Sequence, residues 1–476
     1  MTMHRRQGSR EMIRDKDRGT GRTTRTGRGR GFLALATGVL LTAAVGCSDF
    51  LEVDNPASLL DEDLERKELL GTLANTPEGN IAGTYSSLLT RHGLLSDELF
   101  HPTTQLENID AMRGNRLASN SAVEGHWRGL AQARWLADEV ADRLTTAGGN
   151  ELGVARAYFF GGIARITMAD HYNVIVYGAE GGLLGPIDVI AESVERFQQA
   201  AQTAQAAGDV NLAAGAMGQV ARAYRSLYYE RAHLQGQMDM SLMDQAESAA
   251  RQALATAPDY NVSLRFGAPG GSNSAASLGG PYGGTNRIDE IYLFLPDPVT
   301  GDWDPRVPHE ETTRQEPLGI SSYNLKYPAR ETPLPLSRAA EAMLIIAESR
   351  LLAGDLAGAV EWINHTRAAA RTRTMAGDWG DASRGWPPMG HAISDLRDFA
   401  SMAADEIMAQ LQHERRAEFW MEMRRWQDMR YYEIFPYRWF DQNKAMGIHL
   451  RWPPSPEDVN ANPNLTNEIA QRLYTN

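Results

Sequence analysis

The sequence predicts a mainly α-helical protein, in which tetratricopeptide-like helix pairs form a scaffold and long loops leave it. Three observations carry this expectation. Residues 213–258 and 338–371 each read as an Ala-rich helix, a polar turn and a second Ala-rich helix. Elsewhere apolar residues recur at the i, i+3, i+4 spacing of a helix face rather than alternating as in a strand. Gly/Pro-rich segments interrupt that pattern, chiefly 267–286, which holds seven glycines and cannot be regular structure.

The first 46 residues read separately from the rest. Phe32–Val45 is an apolar run of about fourteen residues behind an arginine-rich start. A membrane-spanning helix needs roughly 20 residues, so the run fits the apolar core of a secretory signal instead. It ends in small residues before Cys47, the only cysteine, in the order Ala44-Val45-Gly46-Cys47. That tetrad resembles a bacterial lipobox, with Ala44 where Leu is usual. The reading is therefore a signal over 1–46 and a lipidated Cys47 heading a single domain, 47–476. Charge agrees: residues 1–46 carry ten Lys/Arg against three Asp/Glu, and the remainder 37 against 57. Such acidity argues against nucleic acid, whose phosphates require a basic footprint. A lone cysteine permits no disulfide within the chain, so stability rests on a packed core.

In chain order, Leu69 to Leu89 has helical spacing with a break near Pro77–Gly79. Ser96-Asp97-Glu98 and the polar run to Ser121 read as a long loop. Helical spacing returns at Trp127, Leu130, Trp135 and Val140. It continues through 151–178, where Gly161, Gly162 and Ala164 would admit a close neighbour. A third Ala-rich helical copy falls at 188–208. In the pair at 338–371 the turn is Gly354-Asp355, glycine for the left-handed cap and Asp to cap the next helix. Loop insertions are placed near 97–121, 259–337 and 372–392, with a short strand expected at 291–295. A last helix is expected from about Asp405 to Tyr432. On it Arg415 and Glu422 flank an aromatic stripe, so they should be buried and paired.

At this point the chain resembles a known family. The segments FLEVDNP, ARAYFFGGIARI…DHYNV, RAAEAMLIIAE…WINHTR, HERRAEFWMEMRRWQDMR and HLRWPPSPEDVNANPNL occur in the order found in SusD/RagB-like nutrient-binding lipoproteins of outer membranes. The last helix carries the family's charged pattern as Glu414, Arg415, Glu418, Arg425, Trp426, Asp428 and Arg430. Met423 stands where the family often has glycine. The resemblance implies four tetratricopeptide-like helix pairs forming a right-handed scaffold packed against an irregular, loop-rich region. It also implies a lid over a SusC-like TonB-dependent transporter, at the outer face of the outer membrane, capturing oligosaccharides or other nutrients.

Chemistry read from the residues themselves is sparse. There is no G-x-S-x-G elbow, no H-E-x-x-H and no Cys/His metal spacing among the eleven histidines. Pro308-His309-Glu310-Glu311 reads as an exposed loop cluster rather than a metal site. No cofactor or metal is expected, and no enzyme activity. Most tryptophans lie on helical faces and read as core. Trp303, Trp379 and Trp386 instead lie in Gly/Pro-rich loops, with Tyr282 nearby in sequence. An indole there offers a face for the C–H side of a sugar ring, so these four are the expected ligand-binding residues. Two other functions stay open at this stage: a lipid-anchored helical-repeat scaffold for envelope assembly, and a surface glycoside hydrolase using loop carboxylates.

Overall fold

The computed structural model describes residues 70–466, apart from 103, 116–119, 179–180, 268–270, 279–285, 317–318, 373–392, 440 and 446–449. For residues 310–323, 458 and 459 it describes only the backbone. The chain divides into units 1–60 and 61–476, and all described residues belong to the second. Cys47, Tyr282, Trp379 and Trp386 lie outside the described residues.

Two helices open the described chain, α1 (Leu70–Leu73) and α2 (Thr76–Leu95). Pro77 sits in the first turn of α2, where a missing N–H costs nothing. The break therefore comes just before Pro77 rather than at it. After a short strand β1 (Leu99–Phe100) and helix α3 (Leu106–Met112), the long helices begin with α4 (Ser121–Ala147) and α5 (Glu151–His171). Asn120 and Asn150 cap them, each side chain accepting from amides of the first turn. A hairpin, β2 (Ile175–Val176) with β3 (Leu183–Leu184), leads into α6 (Pro186–Ala206), α7 (Val210–Gln235) and α8 (Met240–Thr256). From α4 to α8 each helix packs on the next, as short connections dictate. Small residues set the spacing: a Cβ on Gly162 of α5 would lie 2.6 Å from the Phe197 ring of α6. The expected copy at 188–208 is thus one long helix between two partners.

The excursion after α8 is more ordered than the glycine content implied. It holds β4 (Asn261–Leu264), α9 (Ser274–Leu278), β5 (Arg287–Ile288), α10 (Glu290–Leu293), a hairpin of β6 (His309–Glu316) with β7 (Gly319–Asn324), and β8 (Leu334–Arg338). β5 pairs with β1 and β8 with β4, all antiparallel. The strand expected at 291–295 is a helical turn instead. Asp289 caps it through the Ile291 amide, and that local bond outweighs the apolar run. Helices α11 (Ala339–Leu352) and α12 (Leu356–Arg371) resume the stack against α8. Their turn is built as expected: Gly354 has φ +81°, and Asp355 Oδ1 accepts from the Gly358 amide at 2.9 Å. With α13 (Ala404–Glu418) the stack closes on α11 and α12. The protein is mostly helical, a tetratricopeptide-like architecture. No described helix is long and apolar enough to cross a membrane.

Two expectations fail in instructive ways. Trp135 of α4 is 56% exposed, because its apolar spacing continues past the width of the face that α5 covers. The single helix from Asp405 to Tyr432 is in fact α13, a turn at 419–424, and α14 (Arg425–Tyr431). Met421 and Met423 in that turn both have φ +57°, a conformation that non-glycine residues rarely adopt.

Charged side chains hold the turn. Glu98 Oε1 accepts the Met421 amide at 2.5 Å, and Tyr327 donates to the Met421 carbonyl at 2.8 Å. Lys326 donates to the Trp420 carbonyl and to Glu422, while Arg338 donates twice to Glu422 and also to Glu418. Arg424 forks onto Glu341, and Arg425 onto Asp97. All of these carboxylates are buried. The expectation of buried, paired charge at Arg415 and Glu422 holds, with Arg415 donating to Asp428 at 2.9 Å. The Ser96–Glu98 segment, expected to open a long loop, is buried because it supplies two of the acceptors.

Candidate functional site

A polar cavity of about 540 Å³ opens between α2, α3, the start of α4 and Asn286. Helix geometry decides what faces it. On α2, Ile81, Tyr85, Leu88 and Leu89 go to the core, leaving Gly83, Thr84, Ser87, Thr90 and Arg91 on the adjoining face to line the cavity. Helix α4 contributes Ala122, Gly125 and His126. The two helices touch at Thr84 and Gly129, where an added Cβ would lie 2.2 Å from the Thr84 hydroxyl. At Gly83 and Gly125 an added Cβ would meet nothing within 4 Å, so these two positions widen the space.

Polar groups then fill the wall. Ser87 Oγ lies 3.0 Å from His126 Nε2. Arg91 donates to the Glu107 carbonyl at 2.7 Å and to Asn108 Oδ1 at 2.5 Å. Asn108 Nδ2 donates to Gln105 Oε1, and His101 Nδ1 donates to Asn286 Oδ1 at 2.8 Å. His126 is buried and its pKa is pushed to about 3, first by burial and then by the Arg91 charge, so the ring is neutral at pH 7. Its Nδ1 and the Thr90 hydroxyl are buried without a hydrogen-bond partner among the described residues. Such orphans are costly unless something else satisfies them. The wall combines amides, hydroxyls, one imidazole and one guanidinium, a set suited to reading hydroxyl and acidic groups of a ligand. The Ser87 hydroxyl and the His126 imidazole form a pair in this wall, but no carboxylate among the described lining residues orients the ring.

Of the expected aromatic residues, Trp303 alone lies among the described ones. It is half-buried, with its ring 4.4 Å from His309 and 6.0 Å from Phe294. Phe294 is 61% exposed, so the two rings present a small apolar patch. The hairpin beneath is fixed by Asp297, whose carboxylate caps the turn at Val299 and Thr300 and takes a forked bond from Arg367. His309, expected in an exposed cluster, is buried at the start of β6, its Nδ1 3.0 Å from the Val307 carbonyl.

Asp297, Asp304 and His413 lie close enough to suggest a metal. Their oxygens are already engaged: Asp304 accepts from Arg306 and His413, and Asp297 from Arg367. Guanidinium groups occupy the place of a cation.

A protein built this way is a helical-repeat protein by class. The SusD family model matches residues 321–475, a stretch that includes the seam around 419–424 but not the cavity. A SusD superfamily protein from Bacteroides vulgatus shares 15% identity over 84% of this chain and 97% of its own, with a TM-score of 0.59. A SusD homolog from Bacteroides thetaiotaomicron shares 12% over 86% and 98%, at 0.60. A third structure, solved with a xylogluco-oligosaccharide, shares 13% over 79% and 84%, at 0.56. No curated protein matches in sequence. Together the family-model match and the shared fold support a SusD/RagB-like assignment.

The sequence marks this cavity only faintly, because the apolar face of α2 carries the stronger periodic signal. Thr84, Ser87, Thr90 and Arg91 repeat at the same period on the adjoining face, and that polar stripe was the available signal.

Proposed function

We propose that this chain is a lipid-anchored nutrient-binding protein at the outer face of the outer membrane, without catalytic activity. It captures oligosaccharides and hands them to a SusC-like TonB-dependent transporter. The observation that carries the reading is the cavity between α2 and α4, whose wall of Asn, Gln, Ser, Thr, His and Arg matches what sugar hydroxyls require. The xylogluco-oligosaccharide of a structural neighbour supports the same ligand class. Tyr282, Trp303, Trp379 and Trp386 are proposed as stacking residues, with Phe294 beside Trp303. Cys47 carries the anchor.

The test is a glycan array probed with the purified full chain, followed by titration of each binder. Binding that weakens when Asn108 or Asn286 becomes Ala supports the reading, and a chain that binds no glycan rejects it. Co-purification from detergent-solubilised outer membrane addresses the transporter separately. Recovery of the chain with no β-barrel partner would remove that part of the proposal.

A further inference from the structure

From the same cavity, and resting on the glycan-binding reading above, we infer that the ligand carries a negative charge: an acidic oligosaccharide bearing carboxylate or sulfate. The inference begins with Arg91. Elsewhere in this protein buried guanidiniums are matched to carboxylates, as Arg425 is to Asp97 and Arg424 to Glu341. Arg91 donates both of its bonds through Nη1, to a carbonyl and an amide oxygen. No carboxylate lies within ion-pair distance of it among the described residues. Burial lowers its pKa to about 10, with only partial relief from Glu107.

The surroundings repeat the asymmetry. The chain has 60 Asp and Glu, yet among the described residues no acidic one lines this cavity. His126 is only 7% exposed, and its Nδ1 lacks a partner among the described residues. When Ser87 donates to Nε2, that Nδ1 bears the hydrogen and is a neutral donor within the wall. An acidic group here would therefore gain the half-buried Arg91 guanidinium at a wall that carries no carboxylate among the described residues. A neutral sugar would leave the guanidinium unmatched.

The experiment titrates the full chain in detergent with three probes. These are an oligogalacturonate, the same oligomer fully methyl-esterified, and a carrageenan oligosaccharide of similar length, which bears sulfate and no carboxylate. The acidic oligomer should bind at least about tenfold tighter than its ester. Raising sodium chloride from low to high concentration should erode that preference. Arg91→Gln should bring acid and ester to within about threefold, while Arg91→Lys keeps part of the preference. Comparison of the uronate and sulfate probes tells which acidic group is taken. Equal or tighter binding of the ester, salt-independent binding, or an unchanged preference in Arg91→Gln overturns the inference. The salt series on wild type decides the matter even if the variant folds poorly. A chain that binds neutral glycans without regard to charge refutes this inference alone. A chain that binds no glycan refutes the glycan reading as well.

Discussion

Replacing Glu422 by Ala tests the physical account of the 419–424 turn. The carboxylate is 2% exposed and accepts from Lys326 at 2.5 Å and from Arg338 at 3.0 and 2.7 Å. Removing one member of a buried ion pair costs ~3–5 kcal/mol, because the other charge stays desolvated. Here each cation keeps a second acceptor, Lys326 the Trp420 carbonyl and Arg338 the Glu418 carboxylate. The expected loss therefore lies near the lower end, about 3 kcal/mol, read from urea unfolding followed by tryptophan fluorescence. Lys326 adds a pH signature. Burial lowers its pKa from 10.5 to about 8 even with Glu422 beside it. A lowered pKa means stability is lost as pH falls through the folded value. Without Glu422 the pKa falls further, so Lys326 sheds its proton on folding at lower pH, and the deficit narrows between pH 7 and 8. Adding Lys326→Met should recover part of the loss, since a matched apolar replacement removes the stranded charge. A loss under about 0.5 kcal/mol, or a double variant no better than the single, would refute the argument.

Acid should destabilise the fold well before its carboxylates titrate. Burial lowers the pKa values of His92, His126, His171 and His309, the middle two to about 3 and the last to about 4. Groups lowered this way contribute fully above the unfolded value of 6.5 and lose that contribution below it. Glu98, raised by burial to about 7, works against them. Urea midpoints should fall between pH 7 and 5, by up to ~1.4 kcal/mol per pH unit for each histidine, and a flat profile would contradict this. Met423→Gly relieves ~1–2 kcal/mol of left-handed strain but empties a side chain that is 1% exposed, worth ~2–5 kcal/mol. The net expectation is a lower unfolding midpoint, and a rise would show that strain dominates. Trp303→Ala should lower glycan affinity by on the order of 1 kcal/mol, as loss of a stacking ring does, and leave the melting temperature nearly unchanged. A large drop in melting with unaltered binding would make it a loop anchor. Cys47→Ser should abolish labelling by an alkyne fatty acid, and equal labelling of the variant would exclude lipidation there.

Local rules made the scaffold legible. Alanine spacing, the Gly354-Asp355 turn and the small residues facing Phe197 each depend on neighbours within a few turns, and each appears where the sequence placed it. The misses depend on distant partners. Nothing near Phe419 announces that the helix must break there, because the groups that compensate the break are Glu98, Lys326, Tyr327 and Arg338. Asp97 and Glu98 read as loop residues because their partners, the Arg425 guanidinium and the Met421 amide, stand more than three hundred positions away. The cavity escaped for a related reason: Asn286 and Asn108 meet through His101 only after β1 and β5 pair.

The same seam has a consequence for the order in which the chain acquires its structure. The Met421 amide and its Glu98 acceptor are 323 residues apart, and the Lys326 and Arg338 contacts span 80 to 96. Closing such loops costs entropy before any contact repays it. The helices from α4 to α8 can zip together while the chain is still emerging, each on its predecessor. The 419–424 turn has no stable form until both ends of the chain have arrived, so a nascent or truncated chain lacking its last sixty residues would hold Asp97, Glu98, Lys326 and Arg338 as uncompensated charges. Sealing of the charged seam is therefore expected to follow folding of the repeat scaffold.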